Sequence, residues 1–343
     1  MTQPSTGTVL KEVPVQEAVG LRLAHDLTQI IPGQFKGRLF KKGHVITEAD
    51  IPKLLDIGKE HIYIMELGVG ELHEDEAAMR MAAALQGEGT QMTEPHEGKV
   101  AIKSGLDVPG IAVIEASIVH AINNLGEIAL ATLHTHAVVK PGGQLAATRV
   151  VPLFVPEEKV SRVEELIHNY RLLHEGRSPV RIRPLRSFRI GLLTTGGEVF
   201  SGRIQDKFGP AVRRIVEALG SEIAEQRFAP DDRHTIVKEI HYLLEQRYDM
   251  IVVTGGMSVD PDDRTPAAIK EAGANIVSYG TPMLPGSMLL MGYLKGIPIM
   301  GLPGCVMHDP YTSFDVLLPR ILAGDVITRE DIVQMGYGGL HGC

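Results

Sequence analysis

Cysteine is nearly missing from this chain. There are two in 343 residues, Cys305 in an apolar context and Cys343 at the last position. That excludes a disulfide framework and a CxxC metal knuckle, so chemistry through paired thiols is not expected. Long apolar runs are missing too: the longest, MIVV at 250–253 and MLLM at 288–291, fall far short of the roughly 20 residues that span a bilayer. The opening MTQPSTGTVLKEVPVQ has no basic start followed by an apolar stretch, so a cytoplasmic protein without membrane contact is expected. An excess of positive charge is also lacking. Lys plus Arg number 34 against 42 Asp plus Glu, a net charge of −8, which argues against a surface that holds nucleic acid by neutralising many phosphates. P-loop, HExxH and GxSxG signatures are absent, removing Walker-type hydrolysis, zincin proteolysis and the usual hydrolase elbow.

What remains is ordinary globular material, 44% apolar and 22% charged, long enough for two or three domains. Residues 1–180 read as an α+β region, possible in two lobes of about 1–70 and 71–180. Helices are expected at 47–58, 73–86, 114–126 and 156–173; in the last, Val160, Val163, Leu166, Ile167 and Tyr170 recur on one face. The segment EGRSPVRIRPLRSF at 175–188 reads as a linker or as a strand leading into the next domain. Its arginines, Arg177, Arg181, Arg183 and Arg186, with Arg189 just beyond, could receive phosphate or simply be basic surface. His134 and His136 in LHTH could share one strand face and bind a metal, but no third ligand has diagnostic spacing, and an ordinary strand pair explains them as well.

From residue 187 to 325 the rhythm becomes regular. Apolar strands at 189–195, 222–229 and 249–256 alternate with helices at 206–219, 231–246 and 265–272, the pattern of a mostly parallel sheet covered on both faces. A strand at 274–280, a hairpin around Lys295-Gly296 and a helix from Asp309 to Leu322 complete it, and 326–343 reads as a mobile tail. In such an α/β domain the ligand lies at the carboxyl ends of the strands. The loops there are TTGGEVF, APDD and TGGMSVDPDDRTP. Gly255 and Gly256 let backbone N–H groups approach an anion. Asp260, Asp262 and Asp263 would repel that anion unless a hard cation such as Mg²⁺ lay between them. The competing reading is a solvated turn with Asp263 or Thr265 as a helix cap. Glu198, Asp206, Asp231 and Asp232 are each explicable as caps or surface, yet they gather at successive strand ends.

TTGGEVF, GRIQDKFG, APDD, VVTGGMSVDPDDRTPAAI, MLPGS and GLPG, in this order over 188–322, resemble the molybdopterin-binding domain shared by molybdenum insertase, molybdopterin adenylyltransferase and competence-damage-type proteins. Segment 13–26, VPVQEAVGLRLAHD, looks like the opening of the insertase branch. The resemblance implies a molybdopterin-binding fold and Mg²⁺-dependent transfer of molybdate to adenylated molybdopterin with release of AMP. It places catalysis on Asp263 and on Asp232 or else Asp231, and metal binding on Glu198, Asp206, Asp232 and Asp263. Ligand binding would fall to Gly196, Gly197, Thr254, Gly255, Gly256, Ser258, Thr265, Pro285, Gly286, Pro303 and Gly304. A homodimer is implied, with a molybdoenzyme or another maturation protein as a further partner. Leu284 and Ser287 stand where insertases carry lysines, and Cys305-Val306 replaces an Asn-Pro. Gly197 and Phe208 replace an Asp and an Asn. Those departures keep a non-catalytic carrier or sensor open, and a nucleotide pyrophosphatase of the competence-damage type is a third reading.

Overall fold

A computed structural model describes residues 9–31, 35–66, 68–96, 98–258 and 263–342. The first lobe pairs Val9–Pro14 and Arg22–Leu23 on either side of His61–Glu66. Val13, Val15, Leu23, Leu54 and Ile64 close its core. The second lobe lays helix Glu74–Leu85 against a four-stranded antiparallel sheet whose central strands are Lys99–Ser104 and Gln144–Val150, and helix Glu157–Leu173 packs on the outer side of that helix. Val160, Val163 and Ile167 are the fully buried part of the stripe on the 157–173 helix.

The Arg-rich segment is a strand. Val180–Pro184 pairs antiparallel with Gly110–Ile114, because Val180 and Ile182 alternate inward while Arg181 and Arg183 point out. Its arginines are used within the protein: Arg177 meets Glu175, Arg183 meets Asp325, and Arg186 and Arg189 lie over Phe188 and Tyr248. His134 and His136 do not share a strand face; they lie between Ile128–Thr132 and Val138–Val139, where His136 turns the chain at φ 67°. Ile111 is buried with Leu318 and Leu322, which joins this small sheet to the last third of the chain.

That third is the α/β domain the alternation predicts. Its six strands run in the order 222–229, 189–195, 250–254, 297–302, 290–294, 275–279, the first four parallel. Side chains two apart divide between the faces. Ile190, Leu192, Met250, Val252 and Met300 pack with helices Phe208–Ala218 and Ser313–Leu322. Leu193, Ile251, Val253 and Ile299 pack with Arg233–Glu245 and Thr265–Glu271. The hairpin forms as expected, with Lys295 at φ 46° and Gly296 at φ 89°, the double positive φ that a two-residue hairpin turn needs.

The tail differs from the expectation. Arg329–Gln334 is a helix capped by Thr328 and Asp331. Beyond it, Leu284 N–H donates to the Gly339 carbonyl at 2.8 Å and His341 N–H to the Leu284 carbonyl at 2.8 Å, which fastens the tail to the domain. Arg320, 9% exposed, donates to Asp325 at 3.1 Å and to Asp331 at 2.6 Å.

Burial, with the Arg320 guanidinium next, holds the His136 imidazole below its ordinary value, and burial does the same to His73. A histidine with a lowered folded pKa is easier to protonate when unfolded. Its stabilising contribution is complete above about pH 6.5 and is lost as pH falls through the folded value. The urea midpoint should therefore fall between about pH 7 and pH 5. His136→Asn tolerates the left-handed backbone and should flatten part of that fall; an unchanged pH profile in the variant would refute the assignment.

Candidate functional site

The neighbouring parallel strands Arg189–Thr195 and Met250–Thr254 send their chains to helices on opposite faces of the sheet. A crevice opens between two such strand ends. Its floor is fixed by buried hydroxyls. Thr254 donates to Thr194 at 3.2 Å, Thr195 to the Thr254 carbonyl at 3.2 Å, and the Thr195 and Thr265 hydroxyls lie 3.0 Å apart. Gly255 follows at φ 89°, so close that a β-carbon would fall 2.2 Å from the Thr195 carbonyl oxygen. Across the crevice Gly286, at φ 122°, sits against the start of the last long helix, where a β-carbon would meet Ser313 Oγ at 2.4 Å. The Ser313 and Thr281 hydroxyls donate to the Gly286 carbonyl at 2.7 and 2.9 Å.

Two adjoining cavities result. The first, of about 520 Å³, is lined by Gly255, Gly256, Met257, Ser258, the 284–288 loop, Leu302, Pro303, Gly304 and Cys305. The second, of about 840 Å³, is lined by Gly196, Glu198, Asp206, Lys207, Asp231 and His308 among others. Phe208, Gly256 and Asp263 border both. Asp263, half-buried, accepts the Ser258 N–H at 2.8 Å, and Tyr279 donates to the Met257 carbonyl at 2.9 Å, so the loop end is held from both sides. Burial, then Asp263, raises the Tyr279 phenol, which keeps it protonated as that donor. Burial, then Asp309, pushes the Cys305 thiol up, so it lines the first cavity as a neutral thiol.

The expected site residues divide by position. Gly196, Gly255, Gly256, Ser258, Pro285, Gly286, Pro303 and Gly304 line the crevice with Glu198, Asp206 and Asp263. Thr254 and Thr265 are wholly buried beneath it, with their hydroxyls bonded to other threonines. Asp232 caps the Arg233–Glu245 helix, accepting the Thr235 N–H and hydroxyl, and those bonds hold its carboxyl low. Asp231 is the one at the crevice, accepting the Gly197 N–H at 2.7 Å. Asp206 accepts from the Phe208 and Gly209 N–H groups and from Gln226. The supposed metal set Glu198, Asp206, Asp232 and Asp263 is thus not gathered around one point, and no group of three or more His, Cys, Asp or Glu stands as a metal cage among the described residues. Asp260 and Asp262 lie outside the described residues. Met257, Met288 and Leu302 were not expected in the site; Met257 and Leu302 lie within the TGGMS and GLPG motifs but were passed over for their glycines and prolines, and Met288 follows directly on MLPGS.

A family model described as a probable molybdopterin binding domain matches residues 191–323. This stretch is a domain of the molybdopterin-binding family. A second model, a domain of unknown function, matches 12–66 and includes the 13–26 segment. A molybdopterin molybdenumtransferase of Staphylococcus aureus is 25% identical over 130 residues, 36% of this chain and 31% of that protein. A CinA-like protein of Mycobacterium avium is 38% identical over 79 residues, 23% of this chain and 18% of that protein. The chain therefore matches less than a third of either relative's length. Among solved structures, the molybdopterin biosynthesis enzyme MoaB of Thermus thermophilus is 25% identical and covers 40% of this chain and 98% of its own, with a TM-score of 0.34. Every residue that lines the two cavities falls within the matched stretch, residues 191–323. No helix among the described residues is long and apolar enough to cross a membrane.

Proposed function

We propose that the crevice binds adenylated molybdopterin and serves molybdate transfer with release of AMP. The observation that carries this reading is the pair of adjoining cavities with Asp263 on their common border. The first offers apolar walls and glycine backbone to a flat ring system, and the second offers Glu198, Asp231 and Asp263 beside Lys207. Mg²⁺ usually binds through one or two carboxylates plus substrate phosphate oxygens and keeps several waters. A spread set of carboxylates without a closed cage fits that habit. Asp263 or Glu198 would hold it together with phosphate oxygens of the ligand, and when bound it would neutralise charge on the phosphoanhydride. The chain's own part is positioning. The glycine loop admits the ligand, the threonine floor fixes the two strand ends, and Asp263 is oriented by the Ser258 N–H.

Purified protein supplied with adenylated molybdopterin, molybdate and Mg²⁺ should release AMP, followed by chromatography. Binding without release would overturn this reading in favour of a carrier or sensor. A specific observation favours that second reading: among the described residues no Lys or Arg lines the first cavity, where Leu284 and Ser287 stand. A molybdate dianion there lacks a charged donor, each worth about 1.5–3 kcal/mol. Leu284→Lys with Ser287→Lys is therefore expected to lower the apparent KM for molybdate about tenfold or more; an unchanged KM would show that another group already holds the oxyanion. A homodimer and a molybdoenzyme or maturation partner belong to the same proposal, and sedimentation of the purified chain tests the first.

A further inference from the structure

Phe208 opens the Phe208–Ala218 helix and borders both cavities. A side chain that lines neither cavity fixes this partition. Gln226 sits on Glu222–Ala229, the edge strand of the sheet, where a polar group ordinarily meets water. Here its amide is engaged twice. Nε2 donates to Thr194 Oγ1 at 3.0 Å and to Asp206 Oδ2 at 2.6 Å, which uses both of its hydrogens.

Each end of that amide is anchored further. Thr194 Oγ1 also accepts from Thr254 at 3.2 Å, so one end rests on the buried threonine floor. At the other end Asp206 accepts the Phe208 N–H at 2.9 Å and the Gly209 N–H at 3.1 Å, which fixes the first turn of the helix. Gly209 completes the set. A β-carbon there would fall 2.5 Å from Asp206 Oδ2 and 2.6 Å from both Gln226 Nε2 and Oε1, so the two side chains occupy space that only a glycine leaves. A path of hydrogen bonds therefore runs from the strand ends beneath the crevice to the residue that divides it, through Thr254, Thr194, Gln226, Asp206 and Phe208.

Among the described residues, the bond from Gln226 to Asp206 is the only side-chain hydrogen bond that ties 205–208 to the sheet. Its acceptor is a carboxylate, which places it among the stronger hydrogen bonds. With three N–H groups on its carboxylate, Asp206 is occupied by the protein itself. Any displacement of Phe208 reaches both cavities at once. We infer that Gln226 is a positioning residue for the crevice: through Asp206 it holds Phe208 where that ring bounds both ligand chambers. The effect on binding rests on the crevice being the site of adenylated molybdopterin, whereas the effect on Phe208 itself does not.

The chain has no tryptophan, so Phe208→Trp places a lone indole on the partition. In that background Gln226→Leu removes both donations while keeping a side chain of similar size. Acrylamide should then quench the indole more strongly, and the Kd for AMP, the probe for the nucleotide half of the ligand, should rise about tenfold. Gln226→Glu sets a second carboxylate against Asp206 and should do at least as much. Adding Asp206→Asn reverses that hydrogen bond, keeps an oxygen for the Phe208 and Gly209 N–H groups, and should restore much of the shielding. Tyr248→Phe is the control: it removes the 2.8 Å hydrogen bond from Tyr248 to Glu225 on the same strand and should move neither readout. An indole equally shielded in folded Gln226→Leu protein, or exposed as much by Tyr248→Phe, would overturn the assignment. Failure of AMP to bind the unaltered chain would count against the proposed function instead, and the quenching would still decide the role of Gln226.

Discussion

Gly255→Ala is expected to abolish ligand binding in the crevice and to lower stability. The β-carbon would stand 2.2 Å from the Thr195 carbonyl oxygen, a backbone atom that no rotamer change can move. Overpacking of this kind costs about 1–3 kcal/mol, and a non-glycine residue at φ 89° adds about 1–3 kcal/mol more. Relief would require parting strands Arg189–Thr195 and Met250–Thr254 at the end where the crevice opens. The contrast with Gly256 makes the test specific. There the nearest obstacle is the Thr265 side-chain oxygen at 2.9 Å, and φ is 55°, so Thr265→Ala should rescue much of Gly256→Ala while Thr195→Ala should rescue none of Gly255→Ala. Urea midpoints of the two double variants read the difference, and equal rescue would refute the geometry.

Asp263→Asn is expected to cost at least about a hundredfold in AMP release while leaving the fold intact. The amide keeps an oxygen to accept the Ser258 N–H, now at 2.8 Å, so the loop has no reason to move. What it loses is the negative charge at the border of the two cavities. Metal-assisted stabilisation of a phosphoanhydride is worth several kcal/mol, and 1.36 kcal/mol is a factor of ten in rate. By the same reasoning Asp232→Asn should leave turnover nearly untouched, because that carboxylate is engaged by Thr235. Single-turnover rates with adenylated molybdopterin separate the two. Comparable losses in both variants would return Asp232 to the site.

The asymmetry between Asp231 and Asp232 shows where the sequence stops being legible. Both precede a helix and either could cap it; the deciding contact is to Thr235, three residues on, which leaves Asp231 for Gly197, 34 residues away. Period-two burial in the strands and helix periods between them come from neighbours in the chain, so the parallel sheet could be read directly. The threonine floor joins residues 60 and 70 apart, and no local pattern announces it. Val180–Pro184 is half legible: its alternation is plain, but Pro179 before it, Pro184 at its end and the arginines also suit a linker, and only pairing with Gly110–Ile114 decides. The tail, rich in glycine, looks free until its carbonyl and N–H groups are found on Leu284.

Phe208, Gly256 and Asp263 are a wall with two sides. Any occupant that shifts this wall alters the affinity of its neighbour, and linkage makes the effect reciprocal. A fragment that fills one chamber alone should therefore change the dissociation constant of a fragment in the other by the same factor in whichever order they are added. The two halves of the crevice then behave as one thermodynamic unit, and half a ligand reports on the whole.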